Sequence, residues 1–243
     1  MKIGACVANY VGNELAKFIV SNGCELDYVV TCENDSYEEE IYNTFTEAGV
    51  PCHRKTKPDE FILDGTDKLL LLWWPHILKE DVINCVSDGV INLHPSYLPY
   101  NRGTHPYYWS LVDDTPAGVS IHLVTPRIDD GDILFQEKIE TPITMTGQEL
   151  YDVSIHAIID LFKRNYKNIL TSNYIPTPQD TSINTFHWAK DIEDHSEIKL
   201  DMHYKASDLI NIMRARTFSG KSSSYFMLDG KKYYVNLGIY DER

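Results

Sequence analysis

The run Leu69-Leu70-Leu71-Leu72-Trp73-Trp74 constrains the fold more than any other stretch of this sequence. It has no polar face, so it must be buried on both sides. It is also far shorter than the ~20 residues that a membrane-spanning helix requires. A short apolar run of this kind is expected of a central strand in a parallel sheet covered by helices on both faces. The segments around it alternate in the way such a sheet demands. Lys2–Asn9 has the length and apolarity of a strand, and helical spacing follows over Gly12–Asn22 (Leu15, Phe18, Ile19). A strand is expected around Tyr28–Thr31. Ser36–Gly49 reads as a helix with Glu38–Glu40 in its first turn, where the helix dipole favours negative charge, and with Gly49 as its stop. A short strand at Cys52–Arg54, a helix over Lys79–Val86 and a strand over Val90–His94 continue the series. Strand–helix alternation of this type implies an open α/β sheet with right-handed crossovers.

Beyond His94 the rhythm changes. Pro95–Thr104 is expected to be a loop and His105–Asp113 a helix. Val119–Val124 and Ile133–Glu140 alternate like antiparallel strands joined by a turn at Asp129–Asp132. Thr146–Leu170 carries the strongest helical pattern, its stripe read through Leu150, Val153, His156, Ala157, Asp160, Leu161 and Tyr166. Asn173–Thr185 lacks periodicity and is a candidate linker. After it come a helix over Ser207–Arg216 and two strands, Tyr225–Leu228 and Lys231–Leu237, flanking the hairpin signal Asp229–Gly230.

Composition excludes several classes. The 243 residues carry 22 basic and 36 acidic side chains, a net charge of −14, so an extended basic nucleic-acid surface is not expected. Hydrophobic residues at 43% and charged residues at 24% suit a globular rather than a disordered chain. The N-terminus reads as a first strand rather than a signal peptide. Five cysteines without CxxC spacing argue against a disulfide framework or a zinc site and for a reducing, cytoplasmic setting. Neither GxGxxG, GxxxxGK[ST] nor GxSxG occurs, so nicotinamide, ATP and serine-nucleophile chemistry lack a sequence basis.

Two places could carry chemistry. Asn92 and His94 lie two apart at the carboxyl end of a parallel strand, where open α/β sheets place ligands, and they face the same way. An amide and an imidazole together can donate hydrogen bonds to a developing oxyanion, or they can simply tie the strand end to a loop. Asp129, Asp130 and Asp132 put three carboxylates in one turn, which is either solvated or in reach of His94, where a carboxylate would fix the imidazole tautomer.

The ordered set Asn92-Leu93-His94-Pro95-Ser96-Tyr97-Leu98-Pro99, Arg102-Gly103, Gly118-Val119-Ser120-Ile121-His122 and Ile128-Asp129-Asp130-Gly131-Asp132-Ile133-Leu134 resembles the formyltransferases that use 10-formyltetrahydrofolate. The resemblance is best over residues 68–140. It implies an open, Rossmann-like, mostly parallel sheet with an antiparallel extension, forming a catalytic domain over 1–178, and a small C-terminal helix and β-hairpin unit over 179–243. It implies catalysis by Asn92, His94 and Asp129. Folate would be held along Leu72, Trp73, Trp74, Pro75, His76 and Ile77 and around Asp129 and Asp132, with no metal. Trp73 and Trp74 are bulky for that stretch and equally suit core packing.

Within the family, the C-terminal segment Ile212–Lys232 is similar to the region after the core in N-formyltransferases of nucleotide-linked amino sugars. The acidic charge disfavours a tRNA-binding relative. A glycinamide ribonucleotide enzyme, which ends sooner, and a catalytically idle folate- or nucleotide-binding relative are the alternatives. The expected activity is formyl transfer to a nucleotide-linked amino deoxysugar, with dTDP as the expected nucleotide. Phe218 and Tyr225 are candidates for stacking on a base. Lys79, Arg102 and Lys221 are candidates for meeting the pyrophosphate. One departure from the family pattern is Gly220-Lys221-Ser222-Ser223-Ser224 where a proline-rich stretch is expected. The aromatic hairpin (Phe226, Tyr233, Tyr234, Val235) suggests a homodimer contact.

Overall fold

A computed structural model describes residues 1–220 and 223–242. In chain order the elements begin β1 (Ile3–Val7), α1 (Asn9–Ser21), β2 (Tyr28–Thr31), α2 (Glu38–Glu47), β3 (Cys52–His53), β4 (Lys68–Leu72), α3 (Glu80–Asn84) and β5 (Val90–His94). Then follow β6 (Arg102–Gly103), α4 (Pro106–Val112), β7 (Ala117–Leu123), β8 (Ile133–Ile139) and α5 (Gly147–Leu170). The last are β9 (Phe186–His187), α6 (Asp191–His195), α7 (Ala206–Ala215), β10 (Ser224–Leu228) and β11 (Lys231–Val235).

Among the described residues, seven strands form one sheet in the order β3-β2-β1-β4-β5-β7-β8. The first five are mutually parallel, and β7 pairs antiparallel with β5. The mostly parallel sheet with an antiparallel extension is therefore present as expected. All five residues of β1 and of β4 are buried, because the sheet is covered on both faces there. The apolar run stops being a strand at Leu72, since Trp73 takes a left-handed backbone (φ 63°). Gly12 lets α1 start close against the sheet. A Cβ there would stand 2.9 Å from the Leu72 carbonyl oxygen and from Val7.

The chain forms two compact units. The first comprises Met1–His94, Ser120–Gln136 and Ile158–Gln179, and the second Pro95–Val119, Glu137–Ala157 and Asp180–Arg243. In the first unit, Lys68 is fully buried at the start of β4. Its ammonium donates to the Ile169 carbonyl and the Ser172 hydroxyl, both at 2.6 Å, and pairs with Asp88 at 3.1 Å. This ties the C-terminal end of α5 to the start of the central strand β4. At the start of α2, Glu38 receives two hydrogen bonds from Arg54 (2.9 and 2.6 Å) and one from Thr31 (2.7 Å).

The second unit is held by polar and aromatic contacts. Asn101 is buried and donates to Ser110 and Thr115, while Trp109 stacks flat on His187 (3.8 Å, 6°). Arg214 donates to the carbonyls of Pro142 and Met145. The β10–β11 hairpin forms as expected, with Asp229 (φ 49°) and Gly230 (φ 74°) both left-handed, as a two-residue primed turn requires.

Three expectations need correction. The buried stripe of α5 runs through Leu150, Ser154, Ile155, Ile158, Ile159, Phe162, Tyr166 and Ile169, whereas Val153, His156 and Asp160 are exposed. The branched and aromatic residues at three- and four-residue steps choose the face, so the stripe is turned from the one read through Val153. The Asn173–Thr185 segment is not a detached linker, since Thr177 bridges to Ile133 and Gln179 binds the Asp129 turn. The elements β6, β9 and α6 carried too few residues for periodicity to reveal them.

Two stability measurements follow. Lys68→Met leaves the Ile169 carbonyl and Ser172 without their charged donor, and urea denaturation should show a loss of about 1–3 kcal/mol. For Glu38, the Arg54 guanidinium holds the carboxyl below its ordinary value of 4.5. As pH falls, the unfolded chain takes up that proton first. The stabilisation is thus present above 4.5 and is lost as pH drops through the lowered folded value. Glu38→Gln should therefore show a shallower fall of Tm with acid than wild type.

Candidate active site

The site is built on the pairing of β5 with β7. In that antiparallel register Asn92 lies opposite His122 and His94 opposite Ser120. Residues two apart on a strand share a face, and directly opposed residues point the same way, so all four side chains stand on one face of the sheet. Their neighbours Ile91 and Leu93 point to the other face and are buried there. The Ser120 hydroxyl accepts a hydrogen bond from Gln136 at 2.9 Å.

The turn after β7 delivers the carboxylate. Asp129 Oδ2 lies 3.6 Å from His94 Nδ1, and Asp129 Oδ1 lies 3.6 Å from His122 Nε2. These separations are longer than direct hydrogen bonds. The side chains are little exposed, His94 at 7%, His122 at 1% and Asp129 at 12%, so their mutual interaction is weakly screened. The two imidazole rings are perpendicular (88°) with centroids 6.2 Å apart. Among the three aspartates of the turn, geometry selects one for the histidines. Asp130 turns to Arg127 at 2.6 Å, while Asp132 uses its backbone carbonyl to accept from Leu123 at 2.9 Å.

His122 was named in sequence only as part of a motif, yet it completes the constellation. Its Nδ1 lies 2.7 Å from the Leu123 carbonyl, which can only accept, so Nδ1 carries the proton. Its Nε2 lies 3.2 Å from the Asn92 amide nitrogen, which can only donate, so Nε2 accepts. His122 thereby fixes the Asn92 amide. The second amide N–H of Asn92 has no other partner among the described residues. The signal that could have found His122 was the pair Ser120 and His122 on alternate positions, but only with the β5–β7 pairing in hand.

Glycine is required at Gly131 by close approach. A Cβ there would stand 1.9 Å from the Leu123 carbonyl oxygen. Gln179 donates to the carbonyls of Asp129 (3.0 Å) and Gly131 (2.7 Å) from the other side.

Beyond the end of β4, Trp74, His76, Ile77 and Lys79 line a cleft of about 360 Å³ together with residues 57–61. Trp74 is 8% exposed and belongs to the core, and its indole N–H is buried without a hydrogen-bond partner. Phe61 and Ile77 are exposed at the rim. Leu72, Trp73 and Pro75 do not line the cleft: Leu72 is a core strand residue, Trp73 is half-buried and Pro75 is exposed. Asp132 stays with the Asp129 turn.

The other expected substrate residues fall in the second unit. The Arg102 guanidinium lies 6.0 Å from the Phe186 ring. Phe218 is 7% exposed and packs against Tyr107 (5.2 Å) and Tyr151 (6.4 Å). Tyr225 is 8% exposed, with the Lys232 ammonium 3.6 Å from its ring centroid, and is likewise engaged within the unit. Lys221 lies outside the described residues. Among the described residues no group of three or more His, Cys, Asp or Glu is placed to hold a metal ion, and no helix is long and apolar enough to cross a membrane. Gly131→Ala should force the Asp129 turn off β7 at a cost of about 1–3 kcal/mol, read as a lower denaturation midpoint.

Comparison with known proteins agrees with this architecture. Residues 60–157 match the Formyl transferase family, and residues 191–241 match the N-formyltransferase dimerization C-terminal domain. A methionyl-tRNA formyltransferase of Clostridium perfringens is 28% identical over 149 residues, 61% of this chain. The chain spans 47% of the length of that curated relative. The structure of a 4-N formyltransferase from Francisella tularensis superposes with a TM-score of 0.83 at 24% identity, covering 99% of this chain and 98% of that one. An N-formyltransferase from Helicobacter canadensis, solved in complex with folinic acid and dTDP-3-aminofucose, has a TM-score of 0.75 at 19% identity, covering 96% and 86%. The chain thus has the fold of these formyltransferases, and it is similar to the formyl transferase family over residues 60–157 and to the N-formyltransferase dimerization domain over residues 191–241.

Proposed function

We propose that this protein transfers a formyl group from 10-formyltetrahydrofolate to the amine of a nucleotide-linked amino deoxysugar, with dTDP as the nucleotide. Residues 1–178 act as its catalytic part. The observation that carries the reading is the convergence of Asn92, His94 and Asp129 on one face of the sheet, with His122 fixing the amide. The likeness to solved sugar N-formyltransferases, one of them bound to folinic acid and a dTDP-amino sugar, supports the substrate class. The match of residues 191–241 to a dimerization domain, together with Tyr233 (42%) and Tyr234 (58%) exposed on the hairpin, supports a homodimer. The product suits a cytoplasmic step toward surface polysaccharide.

The residues fit a folate. The cleft at Trp74 and Ile77 has an aromatic wall and an apolar rim, and its ~360 Å³ falls within the range of small-molecule sites. 10-Formyltetrahydrofolate, when bound, supplies an activated formyl carbon. The acceptor amine is itself the nucleophile, which explains why no serine or cysteine nucleophile is needed. The chain's own residues then do three things. The second N–H of Asn92 donates to the formyl oxygen as negative charge develops on it, and protonated His94 does the same. Asp129 holds the imidazole of His94 in place. Asp129 also accepts the proton that the amine must lose, directly or through water; as the bond between the formyl carbon and the folate nitrogen breaks, that nitrogen would take up a proton, so that tetrahydrofolate leaves. Orienting amine and carbonyl in this frame lowers the barrier further.

Incubation with 10-formyltetrahydrofolate and a panel of dTDP- and UDP-linked amino sugars should give one product heavier by a formyl group in place of hydrogen. Formylation of glycinamide ribonucleotide alone, or of no amine, would refute the assignment. In the same assay His94→Ala and Asp129→Asn should each lower turnover by roughly 10²–10³-fold.

A further inference from the structure

The segment after α5 behaves as a strap on the Asp129 turn. It starts at Tyr174, whose ring lies beside Phe135 of β8 (6.2 Å) and 5.3 Å from the Lys68 ammonium. Thr177 then pairs with Ile133 in both directions, N–H to carbonyl, at 2.8 and 2.9 Å. Two residues on, Gln179 reaches the turn itself. Its Nε2 donates one hydrogen to the Asp129 carbonyl at 3.0 Å and the other to the Gly131 carbonyl at 2.7 Å.

The amide is used one-sidedly. Its Oε1 is buried without a hydrogen-bond partner. Buried polar atoms are ordinarily satisfied, so an orphan needs a reason. Here the reason is local: turning the amide over would set its oxygen against two carbonyl oxygens. The two carbonyls dictate the orientation, and the unpaired oxygen follows from it. What the bonds hold is itself a costly conformation. Asp129 has φ 49°, a left-handed backbone that persists only where the surroundings over-determine it. Leu123 confines the turn on one side, where Gly131 permits close approach, and Gln179 confines it on the other.

We propose that Gln179 is a positioning residue: its side-chain amide, clamped on the carbonyls of Asp129 and Gly131, holds the Asp129 carboxylate toward His94 and His122. The strap therefore makes the geometry of the site depend on a segment 48 to 50 residues further along the chain. The catalytic consequence rests on the proposed function, whereas the structural one does not.

Two variants of matching length test it. Gln179→Glu replaces the donors with acceptors, and Gln179→Met removes both. Hydrogen–deuterium exchange of the folded variants should speed up in peptides spanning residues 127–134 and stay at wild-type rates in β1 and β4. With the sugar substrate, kcat should fall roughly 10- to 100-fold, as expected for misplacement of a reacting group, with KM for the amine nearly unchanged. A residue that only stabilised the fold would instead lower Tm and leave the kcat of the folded fraction intact. Unchanged exchange at 127–134 in both variants, or faster exchange with wild-type kcat, overturns the proposal. If wild type formylates no amine, the functional reading fails by itself, and the exchange result alone decides the role of Gln179 on the turn.

Discussion

The antiparallel register of β5 against β7 is the constraint on which the site depends. It sets Asn92 opposite His122 and His94 opposite Ser120, so that four polar side chains leave the sheet on one face while Ile91 and Leu93 bury the other. Side chains alternate along a strand, so a slip of one residue would send the imidazole and the amide into the core and Ile91 and Leu93 outward. The burial of Ile91 and Leu93 therefore does two jobs: it stabilises the sheet, and it locks the chemistry to its face. The hydrogen bond from Asn92 to His122 crosses the same pair of strands, so the amide is oriented by the element that fixes the register.

The carboxylate arrives differently, on a turn rather than a strand. A turn has more freedom than a sheet, and here that freedom is removed piece by piece. Leu123 accepts no Cβ at Gly131, Asp132 closes the turn onto Leu123, Asp130 is drawn off by Arg127, and Gln179 binds two carbonyls from outside. Asp129 is what remains, aimed at two histidines. Its 3.6 Å separations are short enough to tighten into hydrogen bonds around a ligand.

Much of this was legible in the sequence, for reasons that can be named. The strand at Val90–His94 was found residue for residue, because an apolar run ended by His-Pro has little alternative. The Asp229–Gly230 hairpin was legible because two left-handed positions leave few residue types. Asn92, His94 and Asp129 were found through the order and spacing of motifs that resemble a family. What stayed hidden was what depends on pairing across the chain. His122 shows no role until β7 is laid beside β5, and Gln179 sits in a stretch whose only local signal, proline and threonine, reads as linker. The contacts of Phe218 with Tyr107 and of Tyr225 with Lys232 were likewise hidden, because an aromatic residue in sequence does not announce its neighbours.

The central claim is that the formyl group is activated between Asn92 and His94. A crystal structure of the protein with 5-formyltetrahydrofolate, a stable isomer of the donor, tests it most directly. The account places the pteridine end of the ligand in the cleft at Trp74 and Ile77, with the folate formyl region within hydrogen-bonding distance, about 3 Å, of the Asn92 amide or the His94 ring. A ligand bound with that end directed away from both residues, while Asp129 still faces His94, would contradict it.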